Sequence, residues 1–455
     1  MLHKGNGLHT NTHTLIFFRE KQETEESRHA MSVPVVELEQ TEHRNYTHLV
    51  YDIAWFGLAL AATSRFLSVY AIRLGATPVD LGWIASLPAL VLMISASFGS
   101  RWLRRFKNTR DAMLLPGFGF RLLFLLPVFA PFMPPDIQPL WLIASVTLPA
   151  IPQGIAGVIF IIAMRNSIFD KHIPTLLARR ALALNAAIGV GALGFGFLLE
   201  QVVFPTNYQL MFLTAFAFAL VSMWHVNRLH ILTEPQHIPA APNGEAAPEP
   251  QSTSAWRNRK FRRVAFVTAV IHLAFFAIVP ITPLYLVDKL GADEGFMALF
   301  GMLELLSGAI VSLVAPRLIR RIGAEKLIAL AMGGTAVAAL AIAAAPSLPF
   351  TLISAFLSGG SWTAAASVGL WSLYMERTPS EQPAKYSTAF HQAVGISVFI
   401  GPMVGSLLAS HDVNLLLIIL LGAVLRIIAA ALIAYNQRRT TDYRSTSEQR
   451  AAQAV

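Results

Sequence analysis

The chain has 455 residues, of which 55% are apolar and only 13% are charged, so it has too few charges for the surface of a soluble protein, where about 25% is usual. Its net charge of +9 would suggest nucleic-acid binding in a soluble protein, but here all but three of the basic residues lie in loops and tails outside long apolar segments. The absence of cysteine excludes disulfides, thiolate nucleophiles and Cys-ligated metals.

The chain begins with a polar stretch, residues 1–45, whose single apolar run is too short for a signal peptide. We expect this stretch to be a disordered cytoplasmic tail. Translation from Met31 would give a shorter N-terminal stretch before the first apolar segment, so either Met1 or Met31 fits as the start of the protein.

Twelve apolar segments follow, each near the roughly 20 residues with which a helix spans a bilayer. The first six predict an N-terminal bundle over 46–230, and the last six predict a C-terminal bundle over 261–436. The segments are approximately Tyr51–Ile72, Leu81–Phe98, Ala112–Phe132, Leu140–Met164, Ala181–Phe204, Tyr208–Val226, Val264–Val287, Phe296–Ala315, Leu327–Ala345, Phe350–Tyr374, Ser387–Ala409 and Leu415–Tyr435.

The distribution of Lys and Arg predicts the orientation. Of 35 such residues, 30 fall in the tails and loops of one side, including a Pro- and Ala-rich linker over 231–260 and a tail over 437–455. Two, Arg73 and Lys289, fall in loops of the other side, and three, Arg65, Arg121 and Arg426, lie inside segments. Because cytoplasmic loops retain positive charge, both termini are predicted to be cytoplasmic.

An internal repeat relates the two sets of segments. The stretch from Gly75 to Arg105 aligns without a gap with the stretch from Gly291 to Arg321, and both end in a cluster of arginines. A second pair, 178–189 and 384–395, aligns at a slightly smaller offset. Two related six-helix bundles are therefore expected.

In this architecture the chain resembles the major facilitator superfamily of transporters. The resemblance implies an all-α membrane fold of two six-helix bundles related by a pseudo-two-fold axis. The loop after the second segment is similar to the family's loop motif, with Gly99, Arg101, Arg104 and Lys107, but Leu103 stands where the family has Asp. Arg317, Arg320 and Arg321 follow the eighth segment. These bases either latch a gate or only satisfy the positive-inside rule.

Small residues predict close helix packing. Gly189 and Gly194 lie in the fifth segment, and Gly401, Pro402 and Gly405 lie in the eleventh. Antiporters of the family carry a Gly-Pro motif in the fifth helix, whereas the Gly-Pro of this chain lies in the eleventh segment. Close packing by small residues is therefore the simpler interpretation. Asn185 and His391 occupy equivalent repeat positions and are candidate gate or capping residues.

Ionisable residues inside the segments are the candidate functional groups, because a charge at the bilayer centre costs about 2.5–3.5 kcal/mol. Glu304 shares one face with Gly301, Gly308 and Ser312. We expect it either to exchange a proton or to pair statically with an intramembrane arginine. Arg65 is a candidate contact for an anionic solute or a counter-ion of Glu304.

Four further residues are candidates for a solute- or proton-binding cavity. Asp52 is either a second proton site or a hydrated group near the interface. His272 is a candidate because histidine titrates near neutrality, although a single histidine in a helix is more often only hydrogen-bonded. Gln153 and Trp362 lie where Gly or Pro loosens the helix.

The sequence therefore predicts a secondary transporter of a small organic solute, monomeric and in the cytoplasmic membrane. H⁺ is the expected coupling ion, and no cofactor, metal, enzymatic activity or nucleic-acid partner is expected. Export is slightly favoured because the cavity candidates are mostly apolar. Uptake of a sugar-like nutrient, or a non-transporting sensor or scaffold, are the alternatives.

Overall fold

The computed structural model describes residues 35–169, 172–232, 254–378 and 383–453, in which the regular elements are helices. The side chain of Arg65 is outside the described set, as are residues 1–34 of the predicted N-terminal tail and 233–253 of the predicted linker.

The first half of the chain contributes six long helices, α1–α6. α1 covers 35–73 in three pieces, Val35–Ala61, the π-helical Ala62–Phe66 and Leu67–Arg73; α2 is Pro78–Ala96, and a short helix Gly99–Leu103 follows it. α3 is Thr109–Phe132 and ends in a 3₁₀ turn, α4 is Pro135–Arg165 with a break between Thr147 and Ala150, α5 is Ile173–Gln201 and α6 is Thr206–Val226.

The second half contributes α7–α12. After a 3₁₀ turn at Ala255–Arg257, α7 is Arg259–Lys289, made of Arg259–Phe276, Ile281–Leu284 and the π-helical Tyr285–Lys289; α8 is Glu294–Ile322 and α9 is Ala324–Ala343. A 3₁₀ turn, Leu348–Phe350, precedes α10, which covers 351–377 as Thr351–Trp362, the π-helical Thr363–Leu370 and Trp371–Arg377. α11 is Pro383–Ser410 and α12 is Leu415–Gln453.

Eleven helices in the described ranges are long and apolar enough to cross a membrane. We take α10 as the twelfth crossing, since its Gly, Ser and Thr residues account for its lower apolarity. With twelve crossings, the start of α1 and the end of α12 lie on one face, here named the terminal face. The opposite face, which carries Gly75 and Gly291, is named the hairpin face.

The turns after α1 and α7 have the same construction, as the sequence repeat predicts. Gly75 and Gly291 have φ of 81° and 70°, a left-handed conformation that favours glycine. Two residues later an N-cap follows in each turn. Thr77 forms a capping box with Asp80, and the Asp293 side chain accepts a hydrogen bond from the backbone N–H of Phe296 at 2.7 Å.

At both ends of the described chain, helix extends beyond the bundle boundaries that the sequence predicts. α1 begins at Val35, inside the stretch predicted to be disordered. Asn45 is fully buried and donates hydrogen bonds to the carbonyls of Ser167 and His230, at 3.0 and 2.7 Å. These tertiary bonds offset the polar composition of the stretch. At the other end, α12 continues to Gln453, past the predicted boundary at 436.

The most extensive contacts between the two halves are formed by two pairs of helices, α2 with α11 and α5 with α8. At the first contact a Cβ on Gly82 would lie 2.6 Å from the Ser406 side chain, and at the second a Cβ on Gly196 would lie 2.7 Å from that of Ala298. Small residues therefore set the distance between the halves.

Candidate functional site

The first half contains a partly open cavity of about 230 Å³ in its part nearer the terminal face, here named the first-half cavity. α1, α3, α4, α5 and α6 all contribute to its wall. Charged and amide side chains form one part of the lining and aromatic rings another; they are Asp52, Arg121, Gln153 and Arg180, and Phe56, Phe120 and Phe160.

Asp52 holds the polar part of this cavity together and is only 5% exposed. Its Oδ1 accepts a hydrogen bond from the Ser222 hydroxyl at 2.7 Å, and its Oδ2 accepts one from Arg180 Nη1 at 3.3 Å. Arg121 Nη2 lies 3.9 Å from Oδ1. A buried carboxylate is tolerated only when paired in this way. Two guanidinium groups facing one carboxylate leave an excess of one positive charge.

The two arginines differ in how many of their guanidinium nitrogens donate hydrogen bonds to the protein. Arg121 donates from Nε to the Ala219 carbonyl at 2.7 Å, from Nη1 to the Gly117 carbonyl at 2.6 Å and from Nη2 to Ser222 at 2.8 Å, which fixes α3 to α6. Arg180 uses only Nη1, toward Asp52 and the Leu49 carbonyl. Within the described residues its Nε and Nη2 make no hydrogen bond, and neither does the Gln153 amide.

The second half has a comparable arginine on a different helix. Arg426 of α12 donates from Nη1 to the Thr335 carbonyl of α9 and from Nη2 to the Phe275 carbonyl of α7, both at 2.9 Å. By the sequence repeat, α9 and α12 correspond to α3 and α6. Each half therefore has an arginine that bridges this helix pair. In the first half Arg121 lies on the earlier helix, α3, and in the second half Arg426 lies on the later helix, α12.

Glu304 of α8 lies close enough to Arg426 for their charges to interact. Its backbone lies at a close contact with α10, where a Cβ on Gly359 would stand 2.0 Å from the Glu304 carbonyl oxygen. One turn further along α8, a Cβ on Gly308 would meet the Thr363 hydroxyl at 2.6 Å. Glu304 is thus held between an arginine and a tightly packed neighbouring helix.

An aromatic cluster joins α7 to α10 beside this charged pair. The Trp362 ring stacks on Phe275, with centroids 3.9 Å apart and planes inclined by 15°, and meets the edge of His272 at 5.3 Å. His272 is buried, and its Nδ1–H donates to the Thr268 carbonyl at 2.8 Å, which leaves Nε2 as an acceptor. The second half thus fills with aromatic rings a region corresponding to the first-half cavity.

Comparisons with known proteins agree with this architecture. The family model of the Major Facilitator Superfamily matches residues 49–402, which is more than half of the chain.

The chain belongs to the Major Facilitator Superfamily.

Solved structures with the same fold include a bacterial homologue of the iron transporter ferroportin in an inward-facing state, with 14% identity, TM-score 0.64 and coverage of 86% of this chain and 98% of that one. A D-xylose-proton symporter has 12% identity, TM-score 0.65 and coverage of 86% and 97%. A POT family transporter in complex with 5-aminolevulinic acid has 13% identity, TM-score 0.65 and coverage of 86% and 96%. No curated protein sequence matches the chain.

Membership of the Major Facilitator Superfamily makes the chain a multi-pass membrane transporter rather than an enzyme, as the sequence predicts. These similar solved structures share at most 14% identity with it, so they establish the fold and leave the solute open.

The residues predicted to form a gate all lie toward the terminal face. Gly99 packs against Val158, and Arg317 donates to the carbonyl of Leu313 in its own helix at 3.2 Å. Asn185 likewise donates to the Ala181 carbonyl at 3.0 Å. The basic residues Arg101, Arg104, Lys107, Arg317, Arg320 and Arg321 are exposed, as is His391, whose ring contacts Phe390.

One group of packing predictions needs correction. A Cβ on Gly189 or Gly194 would meet no atom within 4 Å, because both glycines point away from the neighbouring helices. Close contacts in α5 come from Gly191, against α1, and from Gly196, against α8. In α11 the predicted residues do lie at a contact: Gly401 faces Phe276 and Gly405 faces the Ala277 carbonyl, with Pro402 inside the helix between them.

Among the buried ionisable residues that the sequence does not predict as candidates are Arg180, Glu325 and Glu294. Arg180 resembles an ordinary cytoplasmic base beside Arg179, although only Arg180 faces Asp52. Glu325, at the start of α9, pairs with Arg263 and lies 3.5 Å from Arg377. Glu294, on the hairpin face, pairs across the two halves. Their signal in the sequence is weak, since each lies at the edge of an apolar segment where charges are common.

Proposed function

We propose that this Major Facilitator Superfamily member moves a small organic solute across the cytoplasmic membrane by alternating access and couples that movement to protons. The family supports transport, and one of the similar solved structures is a D-xylose-proton symporter, which is consistent with proton coupling. The concentration of Lys and Arg at the terminal face supports a cytoplasmic location for it. We propose that the monomer is the working unit.

The electrostatic interaction between Glu304 and Arg426 carries the coupling proposal. Arg426 binds carbonyls of α7 and α9 from its place on α12, and it faces the charge of Glu304 on α8. When Glu304 takes up a proton, Arg426 loses its counter-charge, and the balance of forces among four helices changes. A single protonation can therefore alter how α7 packs against its neighbours, and in this fold α7 faces the space between the halves.

Other residues complete the proposed pathway. We assign His272 and Trp362 to the wall between α7 and α10, and Asp52 and Gln153 to the first-half cavity, where Asp52 serves as the counter-charge of the arginines. Arg65 lies in the π-helical part of α1 and is proposed as a solute contact. The arginine clusters of the two repeat loops are proposed to steady the terminal face when it closes.

We propose export as the direction of transport. The first-half cavity joins aromatic walls to a charged end, which suits an amphipathic solute. Import of a nutrient, and a sensor or scaffold without flux, are the outcomes that would replace this proposal. Drug-resistance and nutrient-growth assays in cells lacking the protein separate export from import.

Flux in proteoliposomes tests the coupling. Organic acids, organic amines and sugars are first screened for thermal stabilisation of the purified protein, because a ligand that binds only the folded state raises its stability. Flux of a stabilising compound is then measured with and without a pH gradient. The Glu304→Gln variant should retain exchange of solute but lose acceleration by the gradient. Glu376→Gln, an exposed glutamate on α10, is the matched control and should behave as wild type.

Two results would contradict the proposal. Absence of flux for every stabilising compound would favour a sensor or scaffold. Unchanged dependence on the pH gradient in Glu304→Gln would remove Glu304 from the coupling step.

A further inference from the structure

The first-half cavity has an unbalanced charge and unused hydrogen-bond donors. Arg121 and Arg180 face the single carboxylate of Asp52, and both guanidinium groups are nearly buried. Arg121 is held by protein groups on all three nitrogens, whereas Arg180 keeps Nε and Nη2 without a hydrogen bond within the described residues. These two nitrogens form one edge of the guanidinium, the edge that matches the two oxygens of a carboxylate.

The rest of the cavity is suited to an aromatic ring. Phe56, Phe120 and Phe160 contribute to its lining, and the guanidinium carbons of Arg121 and Arg180 lie 4.8 and 5.0 Å from the ring centres of Phe120 and Phe160. A cavity of roughly 150 Å³ is enough to bind benzene. At about 230 Å³, this cavity has room for a benzene ring with a carboxylate attached.

We propose that the first-half cavity binds a small aromatic carboxylate. Its carboxylate accepts hydrogen bonds from Arg180 and from the Gln153 amide, and its ring packs among the phenylalanines. The negative charge of the ligand cancels the excess positive charge of the cluster, so an organic cation of the same size is rejected. This inference deepens the proposed function by naming the class of solute, and it rests on that function for the transport step; the binding step stands independently.

Gly157 offers a way to fill the cavity without disturbing the protein. It lines the cavity, and a Cβ on it would meet no atom within 4 Å. Leucine at this position therefore projects into the space reserved for the ligand, and it also has a higher helix propensity than glycine. Gly189 is the matched control, since a Cβ there is equally unobstructed and it is not part of the cavity lining.

The test is calorimetric binding of benzoate to the purified full-length protein, with benzamide and benzylamine as neutral and cationic analogues. Benzoate should bind at least about tenfold more tightly than either analogue, as expected for a hydrogen-bonded charge pair. Gly157→Leu should abolish benzoate binding while Gly189→Leu preserves it. Arg180→Gln should weaken it about tenfold or more, whereas Arg179→Gln, an exposed neighbour, should not.

Equal affinity for the three compounds, or unchanged benzoate binding in Gly157→Leu, would overturn the inference. If Arg180→Gln fails to fold, the comparison of Gly157→Leu with Gly189→Leu still tests whether benzoate binds in the cavity. A flux measurement separates this proposal from the preceding one. Benzoate that binds but does not cross the membrane keeps the cavity assignment and contradicts transport of this solute. If another compound shows proton-driven flux and benzoate does not bind, the transport proposal is kept and the assignment of the cavity to an aromatic carboxylate is contradicted.

Discussion

Arg73 at the end of α1 forms an ion pair with Glu294 at the start of α8, with Nη2 at 2.9 Å from Oε2 and 2.8 Å from Oε1. The Tyr208 hydroxyl of α6 donates to the same carboxylate at 3.2 Å. The pair joins the two halves on the hairpin face, where the ends of α1 and α7 are also in contact. Opening of this face requires the pair to separate.

Glu294→Gln should therefore shift the protein toward states open on the hairpin face. The pair is partly exposed, since the Arg73 side chain is 42% accessible, so its contribution is about 1 kcal/mol and the expected population shift is about fivefold. Spin labels on Val203→Cys and His411→Cys report the separation of the halves by double electron–electron resonance. The chain has no native cysteine, so only these two sites are labelled. Asp136→Asn, which changes an exposed aspartate on the same face, should leave the distances unchanged.

Gly359→Ala should destabilise the second half. The added Cβ would stand 2.0 Å from the Glu304 carbonyl oxygen, so α8 and α10 must move apart at a cost of about 1–3 kcal/mol. The Tm of the purified protein should fall clearly. Gly333→Ala in α9, where a Cβ meets no atom within 4 Å, should not lower it. Equal Tm values for the two variants would show that the helices are not in close contact at Gly359.

Asp52→Asn should be strongly destabilising because it leaves Arg121 and Arg180 facing each other without a counter-charge. Removal of one partner from a buried pair costs about 3–5 kcal/mol. Asp111→Asn, an exposed aspartate on α3, should change the stability by less than about 0.5 kcal/mol. Addition of Arg180→Gln to Asp52→Asn should recover part of the lost Tm. A double variant less stable than Asp52→Asn alone would contradict this account of the cluster.

Arg426→Met and Glu304→Gln should not be additive. Arg426→Met leaves the Glu304 charge without its arginine, and Glu304→Gln then removes that charge, so the double variant should be more stable than the sum of the single effects predicts. The coupling is measured as a double-mutant cycle on Tm. A cycle with Glu376→Gln in place of Glu304→Gln should close additively, because Glu376 is exposed on another helix.

The helices and the repeat can be predicted because they depend on local properties of the chain. Apolar length predicts a crossing, and the glycines at 75 and 291 predict equivalent turns, which the structure shows with nearly equal φ. For residues 35–45 the sequence predicts a disordered tail, whereas the structure has a helix there that is held by distant partners. Asn45 is buried against the carbonyls of Ser167 and His230, which lie more than a hundred residues away.

The polar clusters can be predicted only in part, since hydropathy does not show which helices are neighbours. Asp52 is a candidate from the sequence, but its partners Arg180 and Ser222 lie on α5 and α6 and emerge only when those helices pack against α1. Arg179 and Arg180 are alike in composition, and about 100° of helical rotation directs one to the surface and the other to the aspartate. The same limit applies to Glu304, whose neighbour is Arg426.

The arginines that bridge α3 to α6 and α9 to α12 bear on the history of the chain. If both halves descend from one duplicated ancestor, a bridging arginine inherited from it would stand on the same helix in each half. Arg121 stands on the earlier helix of its pair and Arg426 on the later one. On that history, at least one bridge arose after the duplication, and the two halves lock the same helix pair with residues of different origin.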